Sequence, residues 1–338
     1  MVKRSTGSNY LIISLKIVLK TMISKQSISK STSAVSFLGS IEKYLVIREI
    51  GSLDEHLCPV FFALTQDHLS KDPKKVVIKA IELEDKYNSF THECAIGELD
   101  AHPRILKCLG TILDCELSFG EFSGKKYNLL VFPFIPNGDL FDIIYSIIKG
   151  PLDEPTVRFC AEQLLEALEF LHNNGYAHRD LKLENILIDK DYNLILADFG
   201  HAEEHSTISG PRKCKSQTTG YLTPPEYFQE EEYEGVKMDL FAFGVLLFQV
   251  ATGIHRPFSS AKEIDGDWES FWEKIDTLLE RKTRKCLSAE LKTLIEGLFT
   301  PDPALRLSIR EIRESEWFVN TKPSTLKRFV LIQQIMKK

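Results

Sequence analysis

His178-Arg179-Asp180-Leu181-Lys182-Leu183-Glu184-Asn185, followed after a short apolar segment by Ala197-Asp198-Phe199-Gly200, holds the residue types that phosphoryl transfer needs. An Asp, a Lys two residues on and an Asn five residues on can, in one rigid loop, place a base, a phosphate-binding cation and a metal ligand round a single point. A second carboxylate, Asp198, arriving beyond an apolar hairpin, can complete the oxygen shell of a hard cation such as Mg²⁺.

These residues resemble the catalytic and metal loops of the eukaryotic protein kinases, H-R-D-L-x-x-x-N and D-F-G, with no departure in either. The resemblance covers about residues 43–320. It implies an α+β, bilobal fold: a small lobe (43–135) with a five-stranded antiparallel sheet and one helix, and a large, mainly helical lobe (136–320). It also implies ATP and Mg²⁺ as cofactors. Asp180 would accept the substrate hydroxyl proton, Lys182 would neutralise the transferring phosphoryl group, and Asn185 and Asp198 would hold the metal. Asp-Leu-Lys marks the serine/threonine class, and Ile112–Lys126 with Trp268–Ile275 suggests the calmodulin-dependent-kinase-like branch, including its protist members.

Elements that could position such a site are legible along the chain. Tyr44–Ile50, Val60–Leu64 and Val76–Ala80 read as strands, and Cys108–Asp114 and Asn128–Phe132 as two more. Val77-Ile78-Lys79 resembles the strand whose Lys pairs with the α- and β-phosphates of ATP. Phe90–Leu99 reads as a helix ended before Pro103. Its Glu93 lies nine positions before His102, matching the acid that holds that Lys; Glu98 competes, but at 100° per residue the two point about 140° apart. Phe132-Pro133-Phe134-Ile135 resembles the hinge, with Phe132 as gatekeeper, Pro133 offering its carbonyl and Ile135 its N–H to adenine. Gly51, Val60 and Val77 fall in the nucleotide-binding pattern, and Asp139 matches an acid that contacts ribose.

In the second half, Glu154–Asn173 is an amphipathic helix, and Met238–Thr252 is apolar nearly all round, hence a core helix. Asp239 resembles the acid that bonds the catalytic-loop backbone, and Arg306 the partner of Glu226 in a buried ion pair. Helices near Trp268–Glu280 and Ala289–Leu298, with Asp302–Arg306, complete the pattern.

The chain departs from the family in three places. Between Ile50 and Val60 there is one glycine, Gly51, where three are usual. Gly97 stands where relatives carry a large apolar side chain, and Gln217–Thr223 fits the segment before Pro224-Pro225-Glu226 only with one residue of ambiguity. A pseudokinase scaffold is therefore the alternative to an active enzyme, and the small-molecule kinases of the same fold are a third class.

Composition excludes other classes. With 43% hydrophobic and 27% charged residues and net charge −6, the 338-residue chain is not a general nucleic-acid binder. No apolar run reaches the roughly 18 residues of a membrane helix. The seven cysteines stand singly, which points to a reducing compartment, read as cytoplasmic with the nucleus as alternative. Residues 1–42 are Ser- and Lys-rich, with no acid before residue 42, the composition of a disordered tail or an organelle transit segment.

Partners expected from the pattern are protein substrates, an upstream kinase and calmodulin. Arg179 beside Asp180 predicts an activation-loop phosphate, with Ser209, Ser216, Thr218 and Thr219 as candidates and Arg212, Lys213 and Lys215 nearby. The tail 321–338 carries Leu326, Phe329, Val330, Ile332 and Met336 among Lys327, Arg328, Lys337 and Lys338, a calmodulin-target-like pattern or a last packed helix. Asp139 and Glu184, read as surface carboxylates, predict a preference for Arg or Lys two or three residues before the acceptor.

Overall fold

The computed structural model describes residues 38–53, 58–65, 73–84, 88–205, 220–229, 233–259, 261, 267–283, 286–326 and 330. They fall into two compact units, one of the residues up to Leu83 with Gly110–Phe134, the other of Glu84–Leu109 with the residues from Ile135 on.

The first unit is an antiparallel sheet of β1 (Gly39–Ile41), β2 (Tyr44–Leu53), β3 (Cys58–Thr65), β4 (Lys75–Glu82), β5 (Gly110–Glu116) and β6 (Lys126–Pro133), ordered β1-β2-β3-β4-β6-β5. Strand alternation sends Val76, Ile78 and Ala80 to one face, where they bury with Val46, Phe61, Ala63, Leu129 and Val131. Val60, Phe62 and Val77 cluster with Ile50 and Phe134 apart from that core. The five predicted strands form, and β1 is a sixth inside the segment assigned to the tail. Three residues with a leading glycine are too short to show a period of two. Gly39 earns its place by close approach, since a Cβ there would lie 2.6 Å from the Phe119 ring.

The second unit holds α1 (Ser89–Glu98), α2 (Glu154–Asn173), α3 (Gly235–Thr252), α4 (Trp268–Thr283), α5 (Ala289–Phe299), α6 (Ile309–Glu314) and α7 (Glu316–Asn320). Sequence reading assigned α1 to the small lobe with residues 43–135. By its contacts it groups with the second unit, to which it is bonded through His92 and Leu106, while Lys107 closes its C-terminal end. Lys107 Nζ donates to the Gly97 and Leu99 carbonyls at 2.6 and 2.5 Å, His92 Nδ1 to the Gly200 carbonyl at 2.9 Å, and Leu106 N–H to the Leu196 carbonyl at 2.9 Å.

Asp302–Arg306 is a turn rather than a helix, Leu305 and Arg306 both donating to the Asp302 carbonyl at 3.1 Å. Two unpredicted short helices follow; α6 opens on a capping box between Ser308 and Glu311. α3 is long and apolar enough to cross a membrane by composition, yet nearly all of it is buried inside the second unit. Leu326 and Val330 are also buried, and Ser324 N–H donates to the Pro155 carbonyl at 2.8 Å. Those two apolar residues of the expected basic tail are thus packed, and Phe329, Ile332 and Met336 lie outside the described residues.

Gly97 makes a simple prediction. Among the described residues a Cβ there would meet only Cys108 Cβ, at an ordinary 3.4 Å. Gly97→Ala is therefore expected to stabilise α1 by up to about 1 kcal/mol, the helix-propensity difference. A higher denaturation midpoint is the expected reading, and a lower one would show that Cys108 cannot accommodate the methyl group.

Candidate active site

Two helices carry the loop. α2 is started by Asp153, whose carboxylate accepts the Thr156 N–H at 3.0 Å, and by Pro155 in the first turn. Its last turn delivers His172, and the chain then runs through Gly175 into β7 (Tyr176–Ala177) and the loop. From α3 the fully buried Asp239 accepts the His178 N–H and the Arg179 N–H, each at 2.8 Å, and the His172 Nε2 proton at 2.8 Å. Burial pushes the Asp239 carboxyl up, but the bond and charge of His172, the charge of His178 and the Arg179 N–H outweigh it and hold the group below its usual range. Capturing two successive N–H groups on one carboxylate accompanies the left-handed backbone of Arg179, φ 66°.

Inside this frame the predicted residues converge. Asp180 Oδ2 accepts from Lys182 Nζ at 2.5 Å and from Asn185 Nδ2 at 3.1 Å, and Asn185 Nδ2 also reaches the Asp180 carbonyl at 2.9 Å. Asp180 and Asn185 are buried, and Lys182 is half-buried. β8 (Ile186–Ile188) and β9 (Leu194–Leu196) then form the apolar hairpin that returns the chain to Asp198. Ala197 N–H donates to the Asn185 carbonyl at 2.9 Å, and His178 Nε2 to the Ala197 carbonyl at 3.2 Å, so both loops share one scaffold. Asp198 itself has φ 65°, a second left-handed non-glycine at the site.

These groups suit a hard cation. The Asn185 NH₂ is committed to Asp180, which leaves its side-chain carbonyl oxygen and the Asp198 carboxylate as the oxygens to offer a cation. Among the described residues no group of three or more His, Cys, Asp and Glu could hold a metal. Two protein oxygens supplemented by phosphate and water are the usual shell of Mg²⁺.

In the first unit, register sets out a second group of predicted residues. Gly51 pairs with Val60, Val60 with Lys79 and Lys79 with Leu130; one step along, Phe62 pairs with Val77 and Val77 with Phe132. Directly opposed residues share a face, so Val60, Val77, Lys79 and Phe132 lie on one side of the sheet. Lys79 is 6% exposed. Pro133 ends β6, opposite Val76, and is half-buried, as is Ile135 at the start of the second unit's main segment. Glu93 on α1 is buried and Glu98 exposed, as the helical angle between them requires.

Asp139 is the correction. Expected at the surface, it is fully buried, its Oδ1 accepting the Asp142 N–H at 2.7 Å while Oδ2 has no hydrogen-bond partner. Asp139 bridges Leu187 on β8 and accepts from the first residue of the wide π-turn Asp142–Ile148, which Lys149 N–H closes on the Ile144 carbonyl. Burial pushes its carboxyl up to about 8 against the Asp142 N–H bond, with the charges of Asp142 and Glu184 adding. Glu184, half-buried, is raised too, chiefly by burial.

A stability prediction follows. Between about pH 4 and 8 the unfolded chain ionises Asp139 while the folded chain keeps the proton, so Asp139 makes stability fall as pH rises through that window. Asp139→Asn keeps the acceptor and removes the titration. Its advantage over the parent in denaturation midpoint is expected to grow from pH 5 to pH 8; parallel pH profiles would exclude it.

The phosphosite candidates Ser209, Ser216, Thr218 and Thr219, with Arg212, Lys213 and Lys215, lie outside the described residues. Sequence reasoning missed Glu203 and Tyr233. Arg179 Nη1 ion-pairs with Glu203, and Nη2 donates to the Tyr233 hydroxyl at 3.3 Å. An acid five residues past Asp198 was the only local sign of it.

A family model described as protein kinase domain matches residues 63–318. CBL-interacting protein kinase 26 of Oryza sativa subsp. japonica is 32% identical over 67% of this chain and 42% of its own. CBL-interacting protein kinase 8 of the same plant is 30% identical over 83% of this chain and 58% of its own. Serine/threonine-protein kinase CHK1 of Saccharomyces cerevisiae is 29% identical over 76% of this chain and 48% of its own. The chain thus spans about half the length of these relatives.

Proposed function

The chain belongs to the protein kinase domain family, and on that premise we propose that it is an active serine/threonine kinase using Mg²⁺ and ATP. One observation carries the reading: Lys182 and Asn185 both donate to the Asp180 carboxylate in a loop whose backbone is pinned by Asp239. Serine/threonine kinases among the similar proteins support the substrate class.

Asp180 orients the substrate hydroxyl and takes its proton; Lys182, 2.5 Å away, keeps that carboxylate in place and offers a cation to the phosphoryl oxygens. Asn185 and Asp198 would hold Mg²⁺, and Lys79 would bind the phosphates of ATP. When bound, the metal neutralises charge on the phosphates. Val60, Val77 and Phe132 supply the apolar face for the base.

Glu184 carries the proposed preference for a basic residue before the acceptor, because Asp139 is fully buried and its carboxyl is pushed up to about 8. Glu184→Ala should lower relative kcat/KM for Arg-containing over neutral peptides roughly five- to tenfold, the size of one partly screened charge interaction. Equal rates of the parent on peptides with Arg and with Glu three residues before the acceptor would overturn it. For the activity itself, the test is transfer from ATP to a Ser/Thr peptide with and without Mg²⁺, beside a Mg·ATP thermal shift. Neither transfer nor shift in the parent would return the chain to the scaffold reading.

A further inference from the structure

Arg179 precedes the base Asp180 and is only 6% exposed, so its charge needs an anion nearby. Sequence reasoning assigned that part to a loop phosphate. In the structure a carboxylate of the chain itself, that of the half-buried Glu203, faces the guanidinium, and Tyr233 accepts a further N–H.

Glu203 is not on a free loop. β10 (Glu203–Glu204) pairs antiparallel with β7, Glu203 standing opposite Ala177, two residues before Arg179. His205 N–H donates to the Gly175 carbonyl at 2.7 Å, and Ala202 N–H to the Phe199 carbonyl at 2.9 Å. The stem of Arg179 is fixed from the other side: a Cβ on Gly235, at the start of α3, would lie 3.5 Å from Arg179 Cγ and Cδ and 2.7 Å from Ala177 Cβ. Glu203 therefore ties the segment just past Asp-Phe-Gly to the residue beside the base, using the charge-assisted pairing that a phosphate would otherwise provide.

We propose that Glu203 is a positioning residue that replaces the activation-loop phosphate, so that the unphosphorylated protein is already fully active. The proposal rests on the kinase reading above. Its test uses the full chain, phosphatase-treated and verified unphosphorylated by mass spectrometry, against untreated protein and the variants Glu203→Gln and Glu203→Asp. Treated and untreated parent should agree within about twofold. Glu203→Gln, of equal shape without charge, should lose about tenfold or more in kcat with KM for ATP changed by less than about threefold. Glu203→Asp should recover a substantial part of that loss, which a purely steric role would not give.

A tenfold or larger drop in the parent on phosphatase treatment would overturn the proposal, as would Glu203→Gln matching the parent. Absence of both transfer and Mg·ATP thermal shift in every form would instead refute the kinase reading, and the proposal with it.

Discussion

Exchanging Asp180 for Asn is expected to lower kcat for peptide phosphorylation by about 10²–10⁴, the range a positioned base contributes, with little change in melting temperature. Asn has the same shape, but its amide is neutral and can place NH₂ toward Lys182 Nζ and Asn185 Nδ2, which now both donate to Asp180 Oδ2. The variant thus loses the proton acceptor and disturbs the two residues beside it. Asp198→Ala should lose at least as much and should also lose the Mg·ATP thermal shift, because it removes the only carboxylate of the proposed metal pair. Such effects are not additive: residues that act as a unit fail together, so the double variant should be scarcely worse than either single one. Steady-state assays with thermal melts decide the matter. An Asp180→Asn variant within tenfold of the parent would remove Asp180 from the base role.

The largest expected effect on stability lies away from the chemistry. Arg306, with no exposed side-chain area, makes a two-pronged pair with Glu226 at 2.6 and 2.7 Å and also donates to the Thr300, Pro301 and Lys237 carbonyls. Its guanidinium lies 5.2 Å from the Phe241 ring centre. Removing one partner leaves a buried charge uncompensated, so Arg306→Met or Glu226→Gln should cost about 3–5 kcal/mol. At roughly 2–4 °C per kcal/mol, that is a fall on the order of 10 °C in melting temperature. Arg306→Lys should recover little, because an ammonium cannot reproduce the planar fork. Arg306→Met with Glu226→Leu should recover only part of the loss, since the carbonyls of Thr300, Pro301 and Lys237 would still lack their donor. A fall of less than about 2 °C for Arg306→Met would contradict this account.

Much of the site was readable before any fold was known. The catalytic loop is local, its spacing fixed within eight residues, so that Asp180, Lys182 and Asn185 could be assigned by position alone. Resemblance to a nucleotide-binding strand picked out Val77 and Lys79, and helical geometry separated Glu93 from Glu98. The long helix Glu154–Asn173 was legible to the residue because an Asp-Glu-Pro start and an unbroken apolar stripe define it.

What the sequence could not show were relations between residues far apart in the chain, since nothing local encodes which polar group will face which. The buried Asp139 sits between a bridge to Leu187 and the π-turn that follows it, and neither a single bridge nor a turn one residue wider than an α-helix leaves a mark in composition. The place of α1 in the second unit goes with His92 and Leu106 finding the Gly200 and Leu196 carbonyls, far along the chain. Arg179 shows the division most plainly. Its identity and place beside the base were evident from the sequence, and so was its need for an anion. That the anion is Glu203 was decided by the pairing of β10 with β7, a two-residue strand contact too short to carry a pattern.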